Sequence, residues 1–269
     1  MPQFLSNEST SPEKKEIAIN GNLKNGDLKN WDLKNGDMKN GDLKLQFDSI
    51  ADTVEAFTIT EHGQFIIVLD SISRENEGDL IIAAEDITTE KMGFMIRYTS
   101  GLICCPISST IAAHLSLPQM VLDNCEIDGT AYTVSIDAVH ADMTTGISAH
   151  DRALTCRALA SPLSTNTSFR RPGHVFPLQA RDKGVLERSG HTEATIEFCK
   201  LAGKRPAGAI SELVIDGEKV LAKSERKEAG MMTRDGCLRF GKDWGIKVCT
   251  IEDLQEYLRT QKSVNGVAV

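Results

Sequence analysis

Apolar runs separated by polar turns fill the chain from about residue 45 onwards, and this pattern predicts the strands of a sheet. Five runs rich in Ile, Val, Leu and Ala each lie close to a Gly or Pro, which is typical of short strands bounded by turns. Many of them are apolar on both faces, and such strands belong to a sheet that is covered on both sides. The predicted strands cover residues 64–70, 79–85, 102–107, 131–139 and 208–215.

Segments with helical periodicity alternate with these strands. Helices are predicted at residues 49–58, 88–100, 191–203 and 250–260. The third of them ends at a Gly, and the last begins with a Thr-x-x-Asp capping pattern. Interleaved helices and strands predict an α/β (α+β) fold over residues 46–262: a three-layer domain whose mixed β-sheet is covered by helices on both faces.

The first 45 residues lack this pattern and carry a tandem repeat with a five-residue period. NGNLK, NGDLK, NWDLK, NGDMK and NGDLK follow one another from Asn20 to Lys44. One Leu or Met per repeat cannot build a continuous helical or strand face, and Asn-Gly pairs favour turns. We therefore predict a disordered, low-complexity tail over residues 1–45 and a flexible C-terminus over 263–269. A short partner-binding segment within the repeat is the open alternative.

Composition and charge narrow the class of protein without changing the predicted fold. The 269 residues carry a net charge of −8, so the basic surface of a nucleic-acid-binding protein is not expected. No apolar run approaches the roughly 20 residues of a membrane span. The seven cysteines form no Cys-x-x-Cys pair and are expected to be reduced thiols in apolar surroundings. We therefore expect a cytoplasmic protein that binds neither nucleic acid nor a membrane.

The segment SRENEGD, residues 73–79, places three carboxylates at alternate positions between two apolar runs. In an extended chain Glu75, Glu77 and Asp79 would share one face, about 7 Å apart, and would repel one another. A hard divalent ion such as Mg²⁺ is the usual partner of such a cluster, together with water and substrate oxygens. An exposed turn with solvated acids is the alternative, and this segment alone does not decide between them.

Two segments with histidines could also take part in chemistry. In RRPGHVFPL, residues 170–178, the Pro-Gly pair predicts a rigid turn that presents His174, although a lone histidine is often structural. In ERSGHTEAT a loop enters a helix, and its N–H groups, hydroxyls and guanidinium would suit a phosphate. His191 there could ligate a metal, and an ordinary helix cap is the alternative. The residues concerned are Arg188, Ser189, Gly190, His191 and Thr192.

Three further residues stand in unusual surroundings. Glu212 falls inside an apolar predicted strand, where an unpaired carboxylate is costly, so it is either an acid/base group or the partner of an arginine. Cys104 is either a buried strand residue or a thiol beside a substrate. Thr145, in TTGISAHDR, belongs to a substrate loop or to a helix cap. Together, these segments indicate an enzyme that binds a phosphorylated, oxygen-rich small molecule with Mg²⁺.

Six motifs occur in one order along the chain and together are highly specific, although each alone is weak. They are RENEGDLIIAAE, YTSGLIC, TTGISAHDRA, RPGHVFPL, GHTEAT and LAGKRPAGAISE. This set resembles the 3,4-dihydroxy-2-butanone 4-phosphate synthases of riboflavin biosynthesis, in their monofunctional form, over about residues 47–260. The chain departs from the family where an acidic segment usually precedes RENEGD. Here Ser71, Ile72 and Ser73 leave Asp70 as the carboxylate of that segment.

The resemblance implies roles for the matching residues. Glu75 and His191 would hold a catalytic Mg²⁺, with Mn²⁺ as an alternative ion. The implied catalytic residues are His174, Glu212, Glu77, Cys104 and Asp70. The implied substrate contacts are Arg74, Glu75, Asp79, Thr145, Arg188, Ser189, Gly190, His191, Thr192 and Glu212, with the segment from 188 to 192 at the phosphate.

The resemblance also implies a reaction and a partner. D-ribulose 5-phosphate would be converted into L-3,4-dihydroxybutan-2-one 4-phosphate and formate. Mg²⁺ would stabilise an enediolate after loss of the C3 proton, an acid would assist loss of the C1 hydroxyl, and C4 would leave as formate. Members of the family are homodimers with the active site near the subunit interface, so a homodimer is expected.

Overall fold

The structure, a computed structural model, describes residues 46–59 and 63–264. The predicted disordered tail over residues 1–45 therefore lies outside the described residues. Of the predicted flexible C-terminus, residues 263 and 264 belong to the last helix, and the remainder lies outside the described part. Within the described ranges, no helix is both long enough and apolar enough to cross a membrane.

A seven-stranded mixed sheet forms the centre of the domain, in the order β11-β1-β2-β6-β3-β5-β4. Its strands are β1 Ile66–Leu69, β2 Gly78–Ala83, β3 Cys104–Ile107, β4 Ile136–Ala138, β5 Phe169–Gln179, β6 Gly208–Glu212 and β11 Lys247–Thr250. The pairs β1–β11 and β3–β5 are parallel, and the other neighbours are antiparallel. Two small antiparallel pairs join β7 Val214–Ile215 to β10 Gly230–Met231, and β8 Glu218–Lys219 to β9 Arg226–Lys227.

Helices cover both faces of this sheet. They are α1 Ile50–Thr58, α2 Thr89–Tyr98, α3 Ser109–His114, α4 Ala149–Ala160, α5 His191–Leu201, α6 Arg234–Trp244 and α7 Ile251–Val264. In β1, Ile67 and Leu69 pack in a cluster with α2, α3, α4 and α6, whereas Ile66 and Val68 pack in a second cluster with α1, α5 and α7. Alternate residues of one buried strand thus enter two cores, and the predicted three-layer fold is confirmed.

The four predicted helices are confirmed as α1, α2, α5 and α7, with small shifts at their ends. Side chains of Ser49 and Thr88 accept hydrogen bonds at the N-termini of the first two, which fixes where those helices begin. The strand predicted at 131–139 is wrong over most of its length. Only β4 is a regular strand there, and Tyr132 and Thr133 form isolated bridges.

The turn predicted in RRPGHVFPL is also wrong, because this segment lies inside the long strand β5. The register between β4 and β5 shifts at Ile136 and Asp137, and Pro172 lies opposite this irregularity, where a proline is tolerated in a sheet. Gly173 has no room for a side chain, since a Cβ would lie 2.0 Å from the Ile136 carbonyl carbon. The Pro-Gly pair therefore permits close approach of two strands instead of ending one.

Candidate active site

A polar pocket opens where β2, β3 and β6 meet the N-terminus of α5. Nine residues predicted from the sequence line it, namely Arg74, Glu75, Glu77, Asp79, Cys104, Arg188, His191, Thr192 and Glu212. Thr130, Tyr132, Leu178 and Ile210 complete the lining. The structure thus brings together side chains from four separate motifs of the sequence.

The acidic segment is a bent loop, not the extended strand considered above, and Asp70 holds the bend. The buried Asp70 carboxylate accepts hydrogen bonds from the backbone N–H groups of Glu75 (2.9 Å) and Glu77 (3.0 Å) and from the Arg74 guanidinium (3.0 Å). Asn76 takes a left-handed conformation with φ of 55°. Both oxygens of Asp70 accept hydrogen bonds from the loop and fix its shape, and the catalytic role implied for Asp70 stays a prediction.

Asp70→Asn is expected to lower the free energy of unfolding by about 2 kcal/mol, because an amide NH₂ would face an N–H donor of the loop. Asp123→Asn, at an exposed position, is the matched control and should change the stability little. Denaturant titration of both variants measures the difference. Equal stability of the two would contradict a positioning role for Asp70.

Ligand atoms suited to a hard cation converge on one side of the pocket. Single ligand atoms from Asp70, Glu75 and His191 lie within 4.8 Å of one another. His191 is buried, its Nε2 lies 3.1 Å from the Val68 carbonyl oxygen, and its Nδ1 lies 3.7 Å from carboxylate oxygens of Glu75 and Asp79. Donation of Nε2–H to a backbone carbonyl leaves Nδ1 as the atom that faces the acids, as in protein metal sites.

Three carboxyl groups of this cluster have shifted pKa values. A hydrogen bond from His191, against the opposing effect of burial, lowers the pKa of Glu75 to about 2. Burial raises the pKa of Asp79 to about 7, and burial together with Glu75 and Glu212 raises the pKa of Glu77. Asp79 Oδ1 is buried and has no hydrogen-bond partner within the described residues. Two acids, an imidazole and an unpartnered carboxylate oxygen fit a divalent cation such as Mg²⁺.

The part of the pocket around Arg188 and the start of α5 is suited to an anion. Helix α5 begins at His191 with Gly190 as its N-cap, and no side chain caps it, so its N–H groups are available. Arg188 lies beside them, held by Glu193 (2.7 Å), Thr130 Oγ1 (2.9 Å) and the Asp128 carbonyl (3.0 Å). The ordinary cap that the sequence left open is therefore not formed. Ser189 is exposed and contacts Gln255 instead of lining the pocket.

Glu212 and Cys104 form the third side. Glu212 ends β6, is half-buried, and accepts a hydrogen bond from Ser100 Oγ at 2.6 Å. Among the described residues its recorded side-chain partner is this serine and not an arginine, and its acid/base role stays a prediction. Cys104 is confirmed as a buried strand residue, and it also lines the pocket; its contact with a substrate stays a prediction. Burial raises the pKa of the Cys104 thiol far above its usual value, and the pKa of Tyr132 beside it is raised by the same cause.

His174 and Thr145 do not line this pocket. His174 lies on β5, four residues before Leu178 of the pocket lining, which corresponds to roughly 13 Å along a strand. Its Nδ1 lies 2.8 Å from Asp137 Oδ2. Thr145 is exposed in the loop that leads into α4, whose N-cap is Ser148, and the structure records no contact between Thr145 and the pocket. The predicted site residues therefore form two groups within one chain.

The sequence analysis missed several residues that contact the predicted ones. Asp128 lies 3.4 Å from Arg74 Nε, Thr130 and Glu193 hold Arg188, and Ser100 donates to Glu212. Ser100 could have been found, because it belongs to the YTSGLIC motif. Asp128 and Thr130 lie in a polar loop with no local signal of a site.

Comparisons with known proteins agree with this arrangement. The family model described as 3,4-dihydroxy-2-butanone 4-phosphate synthase matches residues 54–257. A synthase of that name from Pyricularia oryzae is 56% identical over 211 residues, which cover 78% of this chain and 89% of the relative. Its counterpart from Schizosaccharomyces pombe is 51% identical over 212 residues, covering 78% of this chain and 98% of the relative.

A solved structure supports the same conclusion at the level of the fold. A 3,4-dihydroxy-2-butanone 4-phosphate synthase in complex with two magnesium ions is 54% identical, with a TM-score of 0.78, and the match covers 82% of this chain and 100% of that one. The motifs, the pocket and the relatives thus point to one group of proteins. The chain belongs to the 3,4-dihydroxy-2-butanone 4-phosphate synthase family of riboflavin-biosynthetic enzymes.

Proposed function

We propose that the protein is a Mg²⁺-dependent lyase that converts D-ribulose 5-phosphate into L-3,4-dihydroxybutan-2-one 4-phosphate and formate. The observation that carries this proposal is one pocket whose lining includes both groups suited to a cation and groups suited to an anion. Glu75, Asp79 and the His191 ring are the first, and Arg188 with the N–H groups at the start of α5 are the second. A phosphorylated sugar has the complementary ends: hydroxyl and carbonyl oxygens at one end and a phosphate at the other.

Glu75 and His191 would hold the metal, with Mn²⁺ as an alternative to Mg²⁺. A related structure contains two magnesium ions, which supports this choice of ion. When bound, the ion supplies positive charge beside the oxygens of the substrate, where negative charge develops after removal of a proton from carbon. Asp79, with its unpartnered oxygen, is placed to contact the same ion or a substrate hydroxyl.

The phosphate and the hydroxyls would be bound by residues around the start of α5 and in the acidic loop. Arg188 presents a guanidinium beside the free N–H groups of the helix, and Thr192 adds a hydroxyl from its first turn. Gly190 lets the Arg188 guanidinium approach the start of the helix, because a Cβ at this position would lie 2.1 Å from Arg188 Nη1. Ser189 would join them through its backbone, and Arg74 would contact a sugar hydroxyl.

The proposed reaction requires several proton transfers at different atoms, and the pocket offers several titratable groups. One group removes the C3 proton, and another delivers a proton as the C1 hydroxyl leaves as water; water returns when formate is released, so atoms balance. Glu77 is a candidate for one of these proton transfers, because burial and the charges of Glu75 and Glu212 raise its pKa above the usual value of a glutamate. Cys104 remains a neutral thiol and would act as a contact of the substrate.

His174 and Thr145 would reach the substrate from a second copy of the chain. Within one chain they lie outside the pocket, so the proposed homodimer explains how both groups of site residues serve one substrate. We propose the cytoplasm as the compartment. In support, Cys104, Cys105 and Cys156 are buried free thiols, which suits a reducing environment.

Formate release tests the proposed function. The purified protein with Mg²⁺ and D-ribulose 5-phosphate is expected to release one formate per substrate consumed, measured with a coupled formate dehydrogenase. D-ribulose without phosphate serves as the control and should react far more slowly, because the anion site would be empty. Consumption of the sugar phosphate without formate would contradict the proposal and would indicate an isomerase or aldolase.

A further inference from the structure

Asp137 is a buried carboxylate that neither the motifs nor the pocket explains. It lies in β4, at the edge of the sheet, and is 9% exposed. Both of its oxygens face one residue: Oδ1 accepts a hydrogen bond from the His174 backbone N–H at 2.9 Å, and Oδ2 lies 2.8 Å from His174 Nδ1. A buried carboxylate is costly unless it is hydrogen-bonded, and His174 supplies both of the hydrogen bonds recorded here.

This contact determines which ring nitrogen of His174 carries the proton. A carboxylate accepts hydrogen bonds and does not donate them, so the proton of the 2.8 Å contact resides on Nδ1. The other nitrogen, Nε2, has no hydrogen-bond partner in the part of the chain that the structure describes, and 41% of the side chain is exposed. In a neutral imidazole, Nε2 then presents a lone pair to solvent or to a substrate.

The loop before α4 closes over this pair and explains a second unassigned residue. Gly146 has φ of 94°, and a Cβ there would lie 2.2 Å from Asp137 Oδ2 and 2.6 Å from His174 Nδ1. The loop is held in place by Asp151, which accepts hydrogen bonds from the backbone N–H groups of Thr144 (3.1 Å) and Gly146 (3.0 Å). A glycine is therefore required at 146 for the pair to form.

We infer that Asp137 is a positioning residue for the reaction: it fixes His174 as the Nδ1–H tautomer and directs Nε2 at the substrate as a proton acceptor. This inference rests on the proposed function, which gives His174 a place in catalysis. Gly146 and Asp151 support the arrangement by leaving space for the pair and by holding the loop over it. The general logic is that a carboxylate orients a catalytic imidazole without touching the substrate.

Nitrogen-15 NMR of the full-length protein with labelled histidine tests the tautomer directly. The wild-type spectrum is expected to show His174 protonated at Nδ1 and bare at Nε2, with the signal assigned by its loss in His174→Gln. In Asp137→Asn the amide oxygen keeps the bond to the backbone N–H, so the amide NH₂ faces Nδ1 and moves the proton to Nε2. A wild-type His174 protonated at Nε2 alone would overturn the inference, whatever the activity of the protein.

Kinetics test whether the tautomer matters. Asp137→Asn is expected to lower kcat for formate release about 10²-fold with KM changed less than about threefold. Asp137→Glu, which keeps a carboxylate, should retain the Nδ1–H tautomer and recover part of kcat. Asp142→Asn is the matched control, because its pair with His140 is exposed and longer (3.6 Å), and it should leave His174 and kcat unchanged.

The outcomes separate this inference from the proposed function. A shifted tautomer with unchanged kcat would overturn the positioning role while leaving the lyase assignment intact. Absence of formate with the wild-type protein would overturn the lyase assignment, and the spectrum would still decide the tautomer. Loss of kcat with an unshifted tautomer would show that Asp137 acts only through stability, and would also overturn the inference.

Discussion

Glu75→Gln is expected to lower kcat for formate release at least about 10³-fold at fixed Mg²⁺, equivalent to about 4 kcal/mol of transition-state stabilisation. Glutamine preserves the size of the side chain and removes its charge. Glu75 is the acid of the cluster whose pKa is lowered to about 2, so its carboxylate is ionised at neutral pH. Its carboxylate lies 3.7 Å from His191 Nδ1, so its loss leaves the histidine with Asp79, at the same distance, as its acidic neighbour.

Metal binding and activity should be measured together on this variant. Isothermal titration with Mg²⁺ is expected to show weaker binding, and wild-type protein treated with a chelator should lose activity and regain it with Mg²⁺ or Mn²⁺. Glu225→Gln is the control, since its carboxylate lies on an exposed hairpin, 65% accessible, and it should behave as wild type. A Glu75→Gln protein with wild-type affinity for Mg²⁺ would exclude Glu75 as a ligand.

Features that depend on neighbours along the chain could be predicted from the sequence. The start of α5 at His191 follows from a Gly in the N-cap position and from apolar residues at helical spacing. Because this helix start is local, the anion site around Arg188 was predicted with it. The fold class followed in the same way, since buried strands such as β1 and β2 are apolar on both faces.

Features that depend on hydrogen bonds between residues several positions apart could not be predicted from the sequence. The alternating acids of the loop read as a strand, but the Asp70 carboxylate accepts backbone N–H groups five and seven residues later and bends the chain. The pattern of apolar and polar residues does not reveal such a hydrogen bond between a side chain and the backbone. The contacts of Asp128 with Arg74 and of Thr130 with Arg188 join residues more than 50 positions apart, and a polar loop gives no sign of them.

The strand β5 shows how tertiary contacts override a local signal. Pro172-Gly173 is a strong turn pattern, yet pairing with β3 and β4 keeps the segment extended. This placement fixes His174 in a strand, next to a buried carboxylate, and away from the pocket that the sequence had assigned to it. The distance between the two groups of site residues is a property of the sheet, and the proposed homodimer would bring the second group to the pocket of another copy.

Glu212→Gln is the second substitution with a large expected effect: a fall in kcat of about 10³-fold, within the range found for loss of a general acid or base. The geometry allows this loss to be isolated. The carboxylate accepts a hydrogen bond from Ser100 Oγ at 2.6 Å, and the Ser100 N–H donates to the Glu212 carbonyl at 2.8 Å. Glutamine keeps an oxygen for the first bond and leaves the second unchanged, so the strand end should stay in place and KM should change little.

Steady-state kinetics with ribulose 5-phosphate measure this effect, with Glu218→Gln in the exposed strand β8 as the control. Ser100→Ala provides an intermediate case, because it keeps the Glu212 carboxylate but removes the hydrogen bond that holds it in place. A fall of about 10-fold in kcat is expected from the loss of this one hydrogen bond. If Glu212→Gln raised KM and left kcat within about threefold, Glu212 would bind substrate equally in the ground and transition states. Its proton would then take no part in the chemistry, and Glu77 and Asp79, the other pocket carboxyls with a raised pKa, would be the next candidates for that role.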